Sequence, residues 1–574
     1  MGYSSLRACI DDLEENKLLI RIKEEVDPNL EIASRHLEEF KNSGKALLFE
    51  NLKGSKYPAV SNLFGTLERS NFIFRDSIHK VKKIIDLKLN PIHGFKHPIS
   101  ALQSAFYLIK ALPKKVPFPK TFEQIKITDI PQIKCWPKDG GAFITFPQVY
   151  SEDINNPGIM NSNLGMYRVQ LGGNDYITNK EIGLHYQIHR GIGIHQRYAL
   201  QIGKPLKVSI FVGGPPSHTF AAVMPLPESM SEIMFAGILE GRRFRYAIKE
   251  GYTISADADF VICGEVGSDL KPEGPFGDHL GYYSLVHNFP FLKVDKVYAK
   301  KDAIWPFTVV GRPPQEDSQF GKMIHYITGK AIKNEIPGLK AINAVDESGV
   351  HPLLLAIGSE RYTPYNPTKQ PQELLTIANH ILGTGQMSLV KYLFICDEEN
   401  SPNVNKEKEY FTHFLERVDW KRDLHFQTKT TIDTLDYSGD RLNEGSKVVI
   451  AAAGEIKRTL SENLLNIELP NGFSNPKLVS NGNLVVEGKS EINKLILSLE
   501  NQDLDGIGLI TLVDDSSFFC DDFSNWLWVT FTRSNPASDI YGLDSETREK
   551  HFSCYIPIID ARIKKHHAPV LERS

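Results

Sequence analysis

The chain has 574 residues, of which 41% are hydrophobic and 24% are charged, so we expect two or three folded globular domains rather than one core. Its 66 basic and 70 acidic residues give a formal net charge of −4, which provides no attraction to phosphate backbones and excludes nucleic acid as a partner. No apolar run approaches the roughly 20 residues that span a bilayer, and no leader pattern opens the chain, which predicts a cytoplasmic protein without a transmembrane segment.

The first part of the chain is predicted to be mixed in structure. Ser4 or Ser5 would cap an amphipathic helix that reaches Leu19, and short β-type runs follow at 46–52 and 57–65. From Arg69 to about 112 the spacing is helical and lysine-rich, until closely spaced prolines end it. We therefore predict a helical insert at 68–115, after an N-terminal part of the first domain at 1–67.

The remaining chain changes from β-rich to alternating helix and strand. Short strand patterns closed by turn residues fill most of 116–315, except for one helix in 225–241 behind two prolines. Alternating patterns after 315 predict an α/β domain over 316–574, with a β-hairpin at Asn481 and Gly482 inside an elaboration at about 455–550. The fold class is therefore α+β and α/β, multidomain. The six cysteines lack metal-site spacing and are predicted to be buried free thiols.

Three polar, glycine-containing segments are candidates for chemistry: 161–170, 184–196 and 273–283. Asn163, His189 and Glu232 offer an amide oxygen, an imidazole and a carboxylate, a set that suits Mn²⁺ or Mg²⁺. Each also has an ordinary structural interpretation. Asn163 could be a turn residue, His185 and His189 could be core histidines, and Glu232 could stabilise the first turn of a helix.

Glu273 and Asp278 are joined by Gly-Pro-Phe-Gly and should share a tight turn. Two carboxylates held close together can have pKa values that are pushed apart, which leaves one of them protonated as an acid. Arg168 could keep the other ionised, or could bind a substrate carboxylate with two hydrogen bonds. The alternative is an acidic turn that is simply solvated.

Several segments together resemble a known family in the order in which they occur. They are NxxxYR at 163–168, HRG at 189–191, MPLPESMSE at 224–232, EGPFGDHLGYY at 273–283, GRPPQED at 311–317 and GQMSLVK at 385–391. This series resembles the signatures of the UbiD family of prenylated-flavin decarboxylases. The resemblance covers roughly residues 5 to 450, weakens in the elaboration, and returns at the IIDARIKKHHAP tail.

The resemblance implies a split-barrel-like, β-rich flavin-binding domain at 116–315 and a C-terminal α/β domain that mediates oligomerisation. It implies prenylated FMN as the cofactor, with Asn163, His189 and Glu232 holding Mn²⁺ against the cofactor phosphate. It also implies a K⁺ ion bound by Ala221, Ala222 and Met224 together with Glu232. The residues implied to contact the cofactor are Asn163, Gly165, Met166, Tyr167, Arg168, Gln187, His189, Arg190, Gly191, Met224, Glu232 and Lys391.

The implied reaction is reversible, non-oxidative decarboxylation of an aromatic acid. Loss of CO₂ from an aromatic ring leaves an electron pair that no amino acid can accept, so a cofactor must accept it. Arg168, Glu273 and Asp278 would be catalytic, with Asp278 or Glu273 as the acid and Asp278 in the proton-donor position. A hydroxybenzoate or naphthoate is the expected substrate, with a role in menaquinone biosynthesis indicated by the tail. A flavin prenyltransferase would supply the cofactor, and a homodimer or homohexamer is expected.

Two other functions are compatible with a flavin-binding fold. A non-catalytic flavin-binding or cofactor-maturation protein would need the metal set but not the three charged residues, so retention of Arg168, Glu273 and Asp278 argues against it. A flavin oxidoreductase would need a nicotinamide site, and no GxGxxG motif follows a predicted strand.

Overall fold

The computed structural model describes residues 2–89, 109–186, 191–226, 231–362, 365, 368–439 and 441–572. The chain forms two compact units. The first unit contains Met1–Asp278, Tyr282–Ala331 and Val570–Ser574, and the second contains His279–Gly281 and Ile332–Pro569. Within the described residues, no helix is long and apolar enough to cross a membrane.

The helices of the first unit lie before, between and after its strands. They are α1 (Leu6–Glu15), α2 (Glu31–Lys41), α3 (Leu67–Ile73), α4 (Ile78–Leu89), α5 (Gly191–Gln201), α6 (Pro216–Val223), α7 (Glu232–Glu240) and α8 (Ser318–Glu335), which runs on into the second unit. Short 3₁₀ turns occur at Ile109–Ala111, Ile127–Asp129 and Ile159–Asn161.

Sixteen strands of the described first unit form three sheets. They are β1 (Leu19–Val26), β2 (Ala46–Leu52), β3 (Ala59–Ser61), β4 (Lys114–Lys115), β5 (Phe122–Gln124), β6 (Phe143–Ile144), β7 (Gln148–Glu152), β8 (Ser162–Gly165), β9 (Val169–Gln170), β10 (Glu181–Leu184), β11 (Leu206–Val212), β12 (Arg245–Lys249), β13 (Tyr252–Ser255), β14 (Phe260–Glu273), β15 (His287–Lys300) and β16 (Trp305–Pro306).

The largest sheet organises the first unit. It has nine strands in the order β6-β9-β10-β15-β14-β11-β7-β8, with β5 pairing β15 off this path. Its centre is the antiparallel pair β14 and β15, each 14 residues long, in which Glu273 is the register partner of His287. Smaller sheets have the orders β1-β2-β3-β16 and β13-β12-β4.

Local sequence explains why the helices begin where they do. The Ser5 hydroxyl accepts the Ala8 amide at the start of α1, whose apolar side is buried, so the predicted first helix is confirmed. The helix predicted behind the two prolines is also confirmed, as α7, with Ser231 as its N-cap and Glu232 in its first turn. The strand predicted at 57–65 is confirmed only over Ala59–Ser61, because the chain turns where the buried Glu316 carboxylate accepts the amides of Asn62 and Phe64.

The second unit alternates helices and strands as predicted. Its further helices are α9 (Glu373–Leu382), α10 (Glu407–Arg417), α11 (Ile492–Leu499), α12 (Ser516–Asp521), α13 (Phe523–Arg533) and α14 (Pro536–Asp539), with 3₁₀ turns at Asp346–Ser348 and Gly385–Leu389. Its strands are β17 (Leu339–Ala344), β18 (Leu353–Gly358), β19 (Tyr392–Asp397), β20 (Leu424–Thr430), β21 (Gly445–Ala452), β22 (Phe473–Ser480), β23 (Asn483–Gly488), β24 (Leu509–Val513), β25 (Ile540–Gly542), β26 (Glu546–Arg548), β27 (His551–Ser553) and β28 (Pro557–Asp560).

Two five-stranded sheets form the second unit, each with its own buried cluster. In the order β17-β18-β19-β21-β20, the inner strands β18, β19 and β21 are parallel and buried along their whole length, which explains their continuous apolar sequences. The other sheet has the order β22-β23-β24-β28-β25. Its β22–β23 hairpin turns at Asn481 and Gly482, with Gly482 at φ +65°, which confirms the predicted hairpin.

The cysteines are free, and five of them are buried as predicted. The prediction is wrong for Cys520, which is only half-buried. This cysteine lies in α12, a short helix with few buried positions.

Candidate active site

A buried ion pair joins Arg168 to Glu273 in the large sheet. The Arg168 Nε donates to Oε1 at 2.8 Å and Nη2 to Oε2 at 2.6 Å, the bidentate geometry that matches a guanidinium to a carboxylate. The side chains are 9% and 1% exposed. Arg168 immediately precedes β9, and Glu273 is the last residue of β14. The sheet therefore brings two residues that are distant in the sequence into direct contact.

His185 contacts the same carboxylate. Its Nδ1 lies 3.2 Å from Glu273 Oε2, and its ring packs on Phe289 with centroids 4.0 Å apart. The register of β9 and β10 accounts for this position, because the His185 amide continues the ladder by donating to the Arg168 carbonyl. Burial and the charge of Arg168 lower the pKa of His185, so the ring is neutral near pH 7 and donates its Nδ1 hydrogen to the carboxylate.

Glu273 is held in its ionised form. Burial alone would raise its pKa, but the charge of Arg168 and the hydrogen bonds from His185 and Arg168 outweigh burial and lower the pKa to about 2. The sequence left open which of Glu273 and Asp278 is the acid. A carboxyl group with so low a pKa is an anion at neutral pH and has no proton to donate.

Asp278 lies in a rigid turn that follows β14. It is 5% exposed, and its amide donates to the Tyr282 carbonyl at 2.9 Å. The residues before it are fixed by hydrogen bonds from or to side chains and backbone of neighbouring segments: Gly274 with Gln170, Pro275 with Gly140, Phe276 with Ser284, and Gly277 with Asp139.

Two glycines in this turn have clear steric reasons. Gly274 has φ +92°, a conformation that other residues rarely adopt. A Cβ at Gly277 would lie 2.0 Å from the Trp136 ring. The EGPFGD segment thus holds its two carboxylates at the two ends of a well-ordered turn.

Asn163 and Glu232 form a second polar corner in the same unit. Glu232 Oε2 accepts the amide of Leu164, the residue after Asn163, at 3.2 Å, and burial raises the pKa of the Glu232 carboxyl. A Cβ at Gly191 would lie 2.2 Å from Asn163 Oδ1, so only glycine lets the first turn of α5 approach Asn163 this closely. Asn163 Nδ2 lies 3.3 Å from the Tyr167 hydroxyl.

This corner fits a divalent ion and a phosphate group. An amide oxygen and a half-buried carboxylate are hard ligands, and a cation would offset the desolvation that raises the pKa of Glu232. The N-terminus of an 11-residue helix beside Asn163 favours an anionic group. The third predicted ligand, His189, lies outside the described residues, as do Gln187 and Arg190.

The remaining predicted site residues are distributed over both units. The carbonyls predicted to bind K⁺ each accept a backbone amide, Ala222 from Met166, Ala221 from Met224, and Met224 from Leu226, and each carbonyl oxygen keeps a second lone pair. A Cβ at Gly165 would meet the Tyr167 ring at 2.3 Å. Lys391 belongs to the second unit, where it is 1% exposed and pairs with Asp436 at 2.7 Å.

Two histidines near Glu273 were not predicted as site residues. The sequence indicates only a core histidine at His185, which in the structure is buried but bound to Glu273. His287 has no predicted role, although it is the register partner of Glu273, and burial together with Arg168 lowers its pKa. The available signal was the alignment of the β14 and β15 patterns, in which a hairpin of two long strands places both residues at the same end.

Sequence comparison gives three contiguous family matches. The N-terminal domain of 3-octaprenyl-4-hydroxybenzoate carboxy-lyase matches residues 10–88, its Rift-related domain matches 111–313, and its C-terminal domain matches 318–452. Together they span more than half of the chain in the expected order. The chain belongs to the UbiD family of carboxy-lyases.

Relatives of this UbiD-family chain extend over nearly its full length. A 4-hydroxybenzoate decarboxylase component from Chlamydia pneumoniae is 36% identical, covering 98% of this chain and 94% of the relative. An uncharacterized protein of Aquifex aeolicus is 34% identical, covering 80% of this chain and 93% of the relative. Since the domain matches stop at 452, the chlamydial relative also shares most of the region beyond them.

Solved structures of the class have the same fold. Vanillic acid decarboxylase of Sedimentibacter hydroxybenzoicus in its closed form superposes with a TM-score of 0.67 at 22% identity, covering 82% of this chain and 96% of the other. The UbiD-class enzyme HmfF of Pelotomaculum thermopropionicum in complex with FMN gives 0.61 at 20% identity, covering 81% and 97%. An evolved dimeric form of HmfF in complex with prFMN gives 0.59 at 19% identity, covering 82% and 97%.

Proposed function

We propose that the protein is a reversible, non-oxidative decarboxylase of an aromatic acid of the hydroxybenzoate or naphthoate type, with prenylated FMN as its cofactor. The observation that carries the proposal is the buried Arg168–Glu273 pair at the start of the turn that holds Asp278. A protein that only stored or delivered a flavin would have no use for an ionised carboxylate fixed in a dry site, because an unneeded buried charge costs stability.

The chain's own residues would divide the work between them. Arg168 and His185 keep Glu273 ionised, so Glu273 acts as a fixed negative charge and not as the acid. Asp278 is then the candidate that donates a proton to the ring carbon that has lost CO₂. The prenylated flavin, when bound, supplies an acceptor for the electron pair that departure of CO₂ leaves behind.

Cofactor binding would use the Asn163 corner. Asn163 and Glu232, together with His189, would hold Mn²⁺ against the cofactor phosphate, and the start of α5 at Gly191 would contribute backbone amides. We further propose the segment from Gly165 to Arg168, with Gln187, Arg190, Met224 and Lys391, as cofactor contacts. The carbonyls of Ala221, Ala222 and Met224 would bind K⁺ together with Glu232.

The broader assignment extends to organisation and pathway. We propose that 116–315 is a split-barrel-like flavin domain, that 1–67 completes it around the insert at 68–115, and that 316–574 mediates assembly into a homodimer or homohexamer. A flavin prenyltransferase would supply the cofactor. The IIDARIKKHHAP tail supports placement in menaquinone biosynthesis.

The direct test uses flavin-loaded protein and a panel of hydroxybenzoates and naphthoates. We expect CO₂ release from at least one acid, and carboxylation of its product at high bicarbonate, because both directions share one transition state. Protein that binds prenylated FMN but neither releases nor fixes CO₂ with any acid of the panel would instead indicate a binding or maturation protein.

A further inference from the structure

Two histidines and an aspartate meet in the second unit, in residues to which the proposed reaction gives no role. One ligand atom from each of His279, His351 and Asp433 can be chosen so that all lie within 4.8 Å of one another. His351 Nδ1 makes a short hydrogen bond to Asp433 Oδ2, and the rings of His279 and His351 stand nearly perpendicular, at 85°. Asp433 is 3% exposed, whereas both histidines are only partly buried.

The cluster lies where a short distant segment joins the second unit. Residues His279–Gly281 belong to this unit although the rest of their neighbourhood in the sequence does not. Leu280 is 2% exposed, and its carbonyl accepts the Trp528 indole hydrogen at 2.7 Å. A Cβ at Gly349, two residues before His351, would lie 2.3 Å from the Leu280 side chain, so the two segments are tightly packed beside the cluster.

The donor set is suited to a particular class of ion. Two imidazole nitrogens and one carboxylate oxygen are typical ligands of zinc and similar divalent transition ions, and they leave one tetrahedral position for water. With bonds of about 2.0–2.1 Å, ligands of a tetrahedral ion lie roughly 3.3 Å apart, so the observed separations would need only small side-chain movements. Mg²⁺ and Ca²⁺ prefer oxygen ligands and are poorly matched.

We propose that His279, His351 and Asp433 bind a divalent transition metal ion of the zinc type, which fastens the His279–Gly281 segment to the second unit. Asp433 is a buried anion, and such a group requires a cation or strong donors beside it. Facing imidazoles supply part of this, since His351 and His279 oppose the effect of burial and lower the pKa of Asp433. A bound metal would supply the remaining charge while keeping both histidines neutral.

The metal site is tested by cobalt and zinc binding to the full chain after treatment with a chelator. Cobalt(II) absorbs visible light with an intensity that reports a low coordination number, and zinc should displace it. The variants are His351→Ala and Asp433→Asn, and Asp433→Asn retains the oxygen that accepts the Leu435 amide. His380→Ala, an exposed histidine in α9, is the matched control.

We expect each site variant to lose one equivalent of bound cobalt and to lose the rise in melting temperature that zinc gives the wild type. His380→Ala should retain both. Equal cobalt binding and an equal zinc-dependent shift in wild type, His351→Ala and Asp433→Asn would overturn the proposal and leave an ordinary histidine–aspartate hydrogen bond. If Asp433→Asn does not fold, His351→Ala decides, because its side chain is partly exposed.

This site can be tested separately from the proposed Mn²⁺ at the Asn163 corner. Glu232→Ala should lose metal and flavin together but keep the zinc-dependent stabilisation. His351→Ala should keep its flavin and its manganese. Failure of the decarboxylation assay would therefore leave the zinc result interpretable, and failure of zinc binding would leave the proposed reaction unaffected.

Discussion

Glu273 receives two parallel hydrogen bonds from Arg168 in a setting from which water is nearly excluded. A buried pair of this kind is weak evidence for stability, because desolvation offsets much of its attraction. Its geometry is better explained by function. The pair fixes one negative charge at the end of β14, immediately before the turn that carries Asp278.

Replacing that charge should stop the reaction without removing the flavin. In Glu273→Gln the amide keeps the shape and part of the hydrogen bonding but loses the charge, so we expect kcat to fall by about 10²-fold or more. Absorbance of the bound flavin should remain. Glu265→Gln, on the same strand and partly exposed, is the control and should keep its activity. Full activity of Glu273→Gln would refute the role of Glu273.

The same pair predicts a pH dependence of folding. The pKa of Glu273 is lowered from 4.5 to about 2 in the folded chain, so its stabilising contribution is fully present above 4.5 and is lost as the pH falls toward 2. The difference in free energy of unfolding between wild type and Glu273→Gln should therefore shrink as the pH falls below about 4.5. Urea denaturation at neutral pH and near pH 4 measures it, and a difference that grows on acidification would contradict the assignment.

Local sequence signals predicted much of this fold correctly. Ser5 and Ser231 cap their helices, and the apolar sequence of β19 is a buried strand, because these features depend on neighbouring residues. The contacts of His185 with Glu273, and of His351 with Asp433, depend on which strands and loops come together. Such long-range pairing cannot be derived from one sequence by periodicity, so neither the role of His185 nor the His279 cluster was predicted.

The candidate site was predictable mainly where a motif carried it. Arg168 and Glu273 were expected to interact, and the structure joins them. The identity of the acid was left open, because it depends on the partners of each carboxylate. Only the bidentate contact and His185 identify Glu273 as the ionised member.

Asp278 should be required for the proton step. We expect Asp278→Asn to bind flavin and aromatic acids but to lose turnover by about 10²- to 10⁴-fold, since the amide cannot donate an acidic proton. Exchange of the product's ring hydrogen in deuterated water isolates this step from CO₂ release, and it should be lost. Asp269→Asn, exposed on the same long strand, should exchange normally. Undiminished exchange in Asp278→Asn would assign the proton to another group.

Glu232 should couple metal to flavin. Its half-buried carboxylate is the one described charge at the Asn163 corner, so Glu232→Ala should release manganese and flavin together. Metal analysis and flavin absorbance of the purified protein measure both losses, with the exposed Glu250→Ala as control. A Glu232→Ala protein that still purifies yellow would count against the proposed ligand set.

His185 should act through Glu273 rather than on the substrate. Its Nδ1 hydrogen bond favours the ionised carboxylate, so removing it should raise the pKa of Glu273. We therefore expect the acidic limb of the kcat/KM profile to move to higher pH in His185→Phe. His185→Gln, whose amide can still donate, should move it less. A fall in activity with an unmoved limb would mean that His185 serves packing against Phe289 alone, because loss of packing does not by itself change the charge that Glu273 carries.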